Sequence, residues 1–258
     1  MDSYVSFGDG SKNLIVMPGL SIRKVTTGLA SLKNSYKSFL NDYTVTVLEP
    51  EDDLPTGCKI HDLAESAIAT LEKIGIKKAY FFGYSMGGMI LQDILINHPE
   101  YVIKGVLGST VSYVKYNEGT VQNWVELADK GAGRELAAAM LDDIFSEDFL
   151  NKFRSLLLAM YRDLSPEEMS RISILANACR GFDVTDQIKA LPSKIKSSLM
   201  VIGAKGDKVF PVDRIVELAD LLECERYIYG PEYAHSVRDE DPGFYDRIFD
   251  FLTCDNSC

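Results

Sequence analysis

An unbroken apolar run, Ala79-Tyr80-Phe81-Phe82, leads without a spacer into Gly83-Tyr84-Ser85-Met86-Gly87-Gly88, and a helix-forming stretch follows directly. A strand with no polar alternation belongs in the middle of a parallel sheet, where both faces are covered. Reversal from such a strand into a helix within a few residues forces backbones together, so the positions flanking the serine must lack side chains. The pattern G-x-S-x-G therefore places Ser85 at the tip of a tight strand–turn–helix, with its hydroxyl exposed and the free N–H groups of a helix start beside it. A chance match in a glycine-bearing turn is the simpler explanation of the pattern. The strand before it and the helix after it argue against chance.

The chain around this segment alternates in the same way. Tyr4 to Phe7 reads as a strand, Gly8-Asp9-Gly10-Ser11 as a tight hairpin turn, and Asn13 to Met17 as a second strand ended by Pro18-Gly19. A helical stretch over about 26–40, a strand over Tyr43 to Leu48 and a turn-rich loop over 49–57 come next. Leu63, Ala67, Leu71 and Ile74 share one helical face, and Gly75 stops that helix. After the serine segment a helix runs to Asn97-His98-Pro99, then a strand over Val102 to Leu107. From about Glu118 to Leu191 no convincing strand appears, only four or five helical segments. One of these carries a strong start signal in Ser165, Pro166 and Glu168. Strand Ser198 to Ile202, helix Val212 to Leu222, strand Arg226 to Tyr229 and a last helix near 243–252 complete the chain. Strands alternating with helices predict a parallel sheet covered on both faces, interrupted by one helical insertion. The 258 residues are more than one small domain needs, and 46% are hydrophobic, enough to bury a substantial core.

A serine hydroxyl is a weak nucleophile until a base takes its proton. Three histidines are present. His61 opens an amphipathic helix, where capping or solvent exposure explains it. His98 sits at a helix end, where a cation suits the C-terminal dipole. His235 lies in the turn-rich loop Gly230 to Ser236 directly after the final strand, at the carboxyl edge where open α/β sheets bind ligands. A base also needs a carboxylate to hold its tautomer. Asp207, in Gly203-Ala204-Lys205-Gly206-Asp207-Lys208-Val209-Phe210-Pro211, occupies the preceding loop on that edge. Asp213 and Asp186 fall on the following helix and in the insertion, where surface solvation accounts for them.

With Ser85, Asp207 and His235 in that order, the chain resembles the α/β-hydrolase superfamily along essentially its whole length. The resemblance implies an eight-stranded type of core with a mostly parallel central sheet and helices on both faces. It also implies a helical lid inserted after the strand that follows the nucleophile helix, entered near Glu118 and left through Asp183 to Asp186 and Leu191-Pro192. On this reading 1–112 and 194–258 form the core and 113–193 the cap. Gly83, Tyr84, Gly87 and Gly88 correspond to the nucleophile elbow, and the Leu20 and Met86 N–H groups to the oxyanion hole. Family members commonly carry His-Gly after the early strand, whereas this chain has Pro18-Gly19; a backbone donor at Leu20 does not depend on that side chain.

The resemblance implies hydrolysis of a small-molecule acyl substrate through Ser85, with no cofactor and no metal. A serine at the nucleophile position argues against the haloalkane dehalogenase and epoxide hydrolase branches, which use aspartate there. Trp124, Phe145, Phe149, Leu157 and Met160 are candidate pocket residues from the lid, although helix–helix packing explains most of them equally well. A small or medium carboxylic ester or thioester is the favoured substrate, ahead of lactone opening, carbon–carbon hydrolysis, aminopeptidase activity and acyl transfer. A hydrolase-fold ligand receptor or interaction protein with slow or no turnover is the alternative from another class. Asp and Glu exceed Lys and Arg by 38 to 27, a net charge of −11 without a basic run, which disfavours nucleic acid or an anionic membrane as a partner. No apolar stretch approaches the roughly 20 residues of a membrane span. Five cysteines without metal-ligand spacing, two of them Cys254 and Cys258 on a polar tail, and a start lacking a secretory pattern give the expectation of a reduced, cytoplasmic protein.

Overall fold

The computed structural model describes residues 3–51, 53–115, 119–161 and 163–254. Glu118, at the expected entry to the insertion, and Cys258 lie outside the described residues. The strands are β1 (Ser3–Phe7), β2 (Lys12–Met17), β3 (Tyr43–Glu49), β4 (Ala79–Tyr84), β5 (Val102–Gly108), β6 (Leu199–Ala204) and β7 (Glu225–Tyr229). They form one sheet in the order β1-β3-β2-β4-β5-β6-β7, with β1 antiparallel to β3 and every other neighbour parallel. The helices are α1 (Leu29–Ser35), α2 (Ile60–Lys73), α3 (Met86–Asn97), α4 (Gly119–Asp129), α5 (Gly133–Ile144), α6 (Glu147–Met160), α7 (Pro166–Cys179), α8 (Thr185–Lys189), α9 (Ser193–Lys196), α10 (Val212–Leu222), α11 (Val237–Glu240) and α12 (Phe244–Thr253).

Period-two alternation within apolar strands divides the core between the two sheet faces. Ile15, Met17, Phe81, Leu199 and Val201 join the cluster beneath α2, α3 and α10. Their neighbours Leu14, Val16, Phe82, Met200 and Ile202 join the opposite cluster with Tyr36, Phe244 and Ile248, on the side of α1 and α12. Helices α4 to α9 occupy the chain between β5 and β6, where the sequence predicts the insertion, and α4 packs on both α5 and α7. Ser165 and Glu168 form the expected capping box at the start of α7. Among the described residues, no helix is long and apolar enough to cross a membrane.

Three expectations are corrected. Among the described residues the sheet has seven strands rather than the eight of the family's usual core, with β1 the one strand before β2. Residues 8–11 do not close a hairpin either, since β3 lies between β1 and β2. The turn passes over the start of β3 instead: Asp9 N–H donates to Leu40 O at 3.0 Å, Lys12 N–H to Asp42 O at 3.1 Å, and Thr44 Oγ1 to Gly10 O at 2.9 Å. At Gly10 the approach is so close that a Cβ would overlap the Asp42 and Tyr43 backbone. The helix expected over 26–40 is also broken, into a 3₁₀ turn over Val25–Thr27, α1, and a second 3₁₀ turn over Lys37–Phe39.

Helices α2 and α3 are joined at their polar edge by two histidines. His61 Nδ1 lies 3.0 Å from Asp93 Oδ1, and His98 Nε2 lies 2.7 Å from Glu65 Oε1. The hydrogen bond to Asp93 raises the His61 pKa above its ordinary 6.5.

Two predictions follow from this packing. Gly10→Ala is expected to destabilise the fold by at least about 2 kcal/mol, because the clash is with backbone that cannot rotate away, as read from urea unfolding midpoints. The raised His61 pKa means the folded state binds the proton more tightly, so the His61–Asp93 contribution is complete below pH 6.5 and fades as pH rises through the folded pKa. Stability of His61→Ala relative to wild type should therefore converge on the wild-type value toward alkaline pH; a gap that widens with pH would contradict this.

Candidate active site

The turn after β4 is the most constrained point on the carboxyl edge of the sheet. Ser85 has φ 54° and ψ −118°, a region a non-glycine residue occupies only when its surroundings force it there. The force is visible in the hydrogen bonds: Ser85 N–H donates to Gly108 O at 2.8 Å, and Ser85 O accepts from Gly88 N–H and Met89 N–H. A Cβ at Gly87 would overlap the Met17 carbonyl at the end of β2, and one at Gly83 would meet the Gly87 backbone. Gly88 faces Thr110 in the same crowded turn.

The structure brings three of the predicted residues together. His235 Nε2 lies 2.9 Å from Ser85 Oγ, and His235 Nδ1 lies 2.8 Å from Asp207 Oδ2. A buried carboxylate accepts, so Nδ1 carries the proton and Nε2 is left as the acceptor facing the serine. The Asp207 side chain is 0% exposed and that of His235 5%. The second Asp207 oxygen, Oδ1, accepts from Val209 N–H and Phe210 N–H, both at 2.8 Å, which leaves Oδ2 to the histidine. Phe210 packs edge-on to the imidazole at 5.5 Å between ring centres. The loops bearing Asp207 and His235 are themselves joined, by Gly206 N–H to Tyr233 O and Lys205 N–H to Tyr229 O, each at 3.1 Å.

Pro18-Gly19-Leu20 leaves β2 beside the serine; a Cβ on Gly19 would stand 2.9 Å from Ser85 Cβ. Met86 is the first residue of α3, a position whose N–H has no intrahelical acceptor. Among the described residues, neither the Leu20 nor the Met86 N–H donates to a protein acceptor outside a helix or strand.

The other candidates have separate places. Trp124 is buried in the packing of the insertion, its indole N–H donating to Asp143 Oδ2 at 2.9 Å. Phe145 and Phe149 stack at 4.6 Å, with Phe153 next in line. Leu157 is half-buried on α6, and Met160, at the end of that helix, is exposed. His61 and His98 belong to the α2–α3 edge, Asp213 to α10 and Asp186 to α8. Among the described residues, no three His, Cys, Asp or Glu side chains converge in a metal-holding group. Burial pushes the Cys179 and Cys224 thiols up to about 12, so both stay protonated at neutral pH.

Further bonds tie the site together, through Tyr84 of the elbow and through Ser109, Glu240 and Arg171, which sequence reasoning missed. The Tyr84 hydroxyl donates to the His235 carbonyl and accepts from Ser109 Oγ at 3.0 Å. Burial raises the Tyr84 pKa well above the phenol range, keeping the donor protonated. Glu240 accepts from Ala234 N–H in the histidine loop and from Ser146 N–H at the start of α6, and Ser236 N–H donates to Ile144 O. Arg171 on α7, 6% exposed, donates to Ser21 O at 3.2 Å and so holds the loop that carries Leu20. No local pattern signals the pairings of Tyr84 with His235, Glu240 with Ser146 and Arg171 with Ser21, which span from about 90 to about 150 residues of chain.

Comparison with known proteins agrees with this architecture. The sequence profile of the family described as alpha/beta hydrolase fold matches residues 34–242. A protein of Mycobacterium phage D29 named "Putative non-heme haloperoxidase" is 31% identical over 201 residues, covering 73% of this chain and 68% of that protein. A "Putative carbamate hydrolase RutD" of Rhizobium rhizogenes is 22% identical over 204 residues, covering 78% of this chain and 76% of its own. Among solved structures, the enol-lactonase from Burkholderia xenovorans LB400 superposes with a TM-score of 0.81 at 20% identity, over 98% of this chain and 96% of that one.

Proposed function

The chain belongs to the α/β-hydrolase family, and from that premise we propose that it is a serine hydrolase that cleaves a small or medium carboxylic ester or thioester. The observation that carries this reading is the continuous hydrogen-bonded line from Asp207 through His235 to a serine held at φ 54°. A hydroxyl bonded to a neutral imidazole nitrogen is set up to lose its proton during attack. His235 Nε2 takes the Ser85 proton as Oγ bonds to the substrate carbonyl carbon, and the buried Asp207 carboxylate steadies the resulting imidazolium. The Leu20 and Met86 N–H groups, without protein acceptors, are free to receive the oxyanion. Collapse of the tetrahedral adduct expels the alcohol or thiol, which takes the proton from His235 and leaves Ser85 acylated. Water, deprotonated by His235, then releases the acid and restores the serine.

On this reading 113–193 forms a cap that meets the site on two sides. Ile144 and Ser146 bond to the histidine loop and to Glu240, and Arg171 bonds to the Leu20 loop. The relatives named for carbamate hydrolysis and for lactone opening are consistent with acyl chemistry at such a serine, although neither name selects the bond cleaved here.

Ser85→Ala is expected to lower turnover of p-nitrophenyl esters by at least about a thousandfold while the fold is retained. Retention of more than about a tenth of wild-type turnover would overturn the assignment of the nucleophile. A fluorophosphonate probe should label Ser85 rapidly in the intact protein, and no labelling would favour the ligand-receptor reading. Asp207→Asn should reduce kcat by about 10³–10⁴ with little change in KM, since an amide does not enforce the Nδ1–H tautomer. An unchanged kcat would remove Asp207 from the mechanism.

A further inference from the structure

A cavity of about 370 Å³ lies beside the candidate site, beneath the loop that leaves β2 and between α1, the end of α6 and α11. Its size is within the roughly 300–1,000 Å³ typical of small-molecule sites. Pro18 forms part of its wall, and the adjoining Gly19 abuts Ser85, so the loop that walls the cavity also passes the serine. Arg23, Lys24 and Arg238 line it against the single carboxylate of Asp239, a cationic lining in a chain of net charge −11.

The three cations are not equivalent. Arg23 donates to Glu168 Oε1 at 2.8 Å and to Met160 O at 2.9 Å, and Lys24 donates to Ser3 Oγ at 2.7 Å. Arg238, three residues beyond His235, donates through Nε to Asp239 Oδ2 at 3.3 Å, with its guanidinium carbon 4.9 Å from the centre of the Tyr84 ring. Among the described residues, its two terminal nitrogens have no hydrogen-bond acceptor. Two phenols of the same lining, Tyr36 and Tyr245, are pushed up by burial and stay neutral, so they place no competing anion beside it. A half-buried guanidinium that lines a cavity with its terminal nitrogens unpaired suits a planar carboxylate, which it binds through two parallel hydrogen bonds. Gly19 alone separates Pro18 in the cavity wall from Leu20, so the wall and the proposed oxyanion donor are at most about 7 Å apart, within the length of a five- or six-carbon diacid.

We propose that this cavity is a carboxylate subsite in which Arg238 receives the distal carboxylate of the substrate, so that the esters cleaved at Ser85 are half-esters or half-thioesters of short dicarboxylic acids. The substrate part of this proposal rests on the hydrolase reading above; the carboxylate site does not.

Two measurements test it. In the first, glutarate is titrated calorimetrically into the Ser85→Ala protein. Binding is expected, weakened at least about tenfold when Arg238→Met is added and partly restored by Arg238→Lys, which returns the charge without the fork. In the second, kcat/KM for the p-nitrophenyl half-ester of glutaric acid is compared with that of its neutral methyl-capped analogue. Wild type should prefer the half-ester by at least about tenfold, and the ratio should fall toward one in Arg238→Met. Equal loss on both esters would mean that Arg238 only supports Tyr84, and that result overturns the proposal. Wild-type turnover without charge preference and without glutarate binding overturns it while leaving the hydrolase intact. Glutarate that binds at Arg238 yet does not compete with ester turnover also overturns it, since the acid is then a separate effector. Arg238-dependent glutarate binding without turnover of any ester supports the subsite and instead removes the hydrolase reading.

Discussion

The carboxyl edge of the sheet is organised around the approach of the turn after β4 to the last carbonyl of β2. Met17 pairs in register with Gly83, and the Met17 oxygen occupies the place a Cβ on residue 87 would need. That contact leaves no room for the chain to relax around Ser85, whose left-handed φ is held by Gly108 on one side and the first amides of α3 on the other. The same contact determines where the chain can go after β2. It leaves over the serine, with Gly19 against Ser85 and Leu20 next. Hydroxyl, helix start and loop amide are thus positioned by one close backbone crossing, which no side-chain substitution elsewhere can supply.

The histidine and aspartate reach this point from the other half of the sheet. Their loops are bonded to each other through Gly206 and Lys205, so they approach as a unit rather than as two independent segments. Two backbone amides saturate Asp207 Oδ1, and the remaining oxygen has one partner. In so dry a site the carboxylate is held in one orientation, and its interaction with the imidazole it faces is little screened. The Tyr84 hydroxyl closes the circuit by bonding the strand that leads into Ser85 to the His235 carbonyl.

The elbow and the two loops were legible because each is a local statement. Glycines at fixed offsets, an apolar strand before and a helix after, and turn residues beyond β6 and β7 can all be read within ten residues. Strand partnership is not local. The alternation of residues 4–7 and 13–17 is the same whether they pair with each other or flank β3, and only the passage of Gly10 across the Asp42–Tyr43 backbone decides between them. Tyr84 occupies the unspecified position of its motif, so its partner 151 residues away left no trace. The sequence around Arg238 carries no signal of the Tyr84 ring it packs on, and that around Trp124 offers pocket lining and helix packing alike. In each case the missing information was which distant segment lies alongside.

The helical insertion shows how such distant ties divide labour with burial. Only Leu150 of α6 is buried, while Phe153, Leu156 and Met160 stand exposed, so apolar packing holds this helix weakly compared with α4, which keeps Val121, Trp124 and Val125 inside. Polar bonds hold its two ends instead: Ser146 N–H to Glu240 at the histidine loop, and the Met160 carbonyl to Arg23 in the loop that follows Leu20. Elements with few apolar contacts open at the lowest free energy. Displacing α6 would break bonds to both halves of the site at once, so access to Ser85 and the geometry around it draw on the same few contacts.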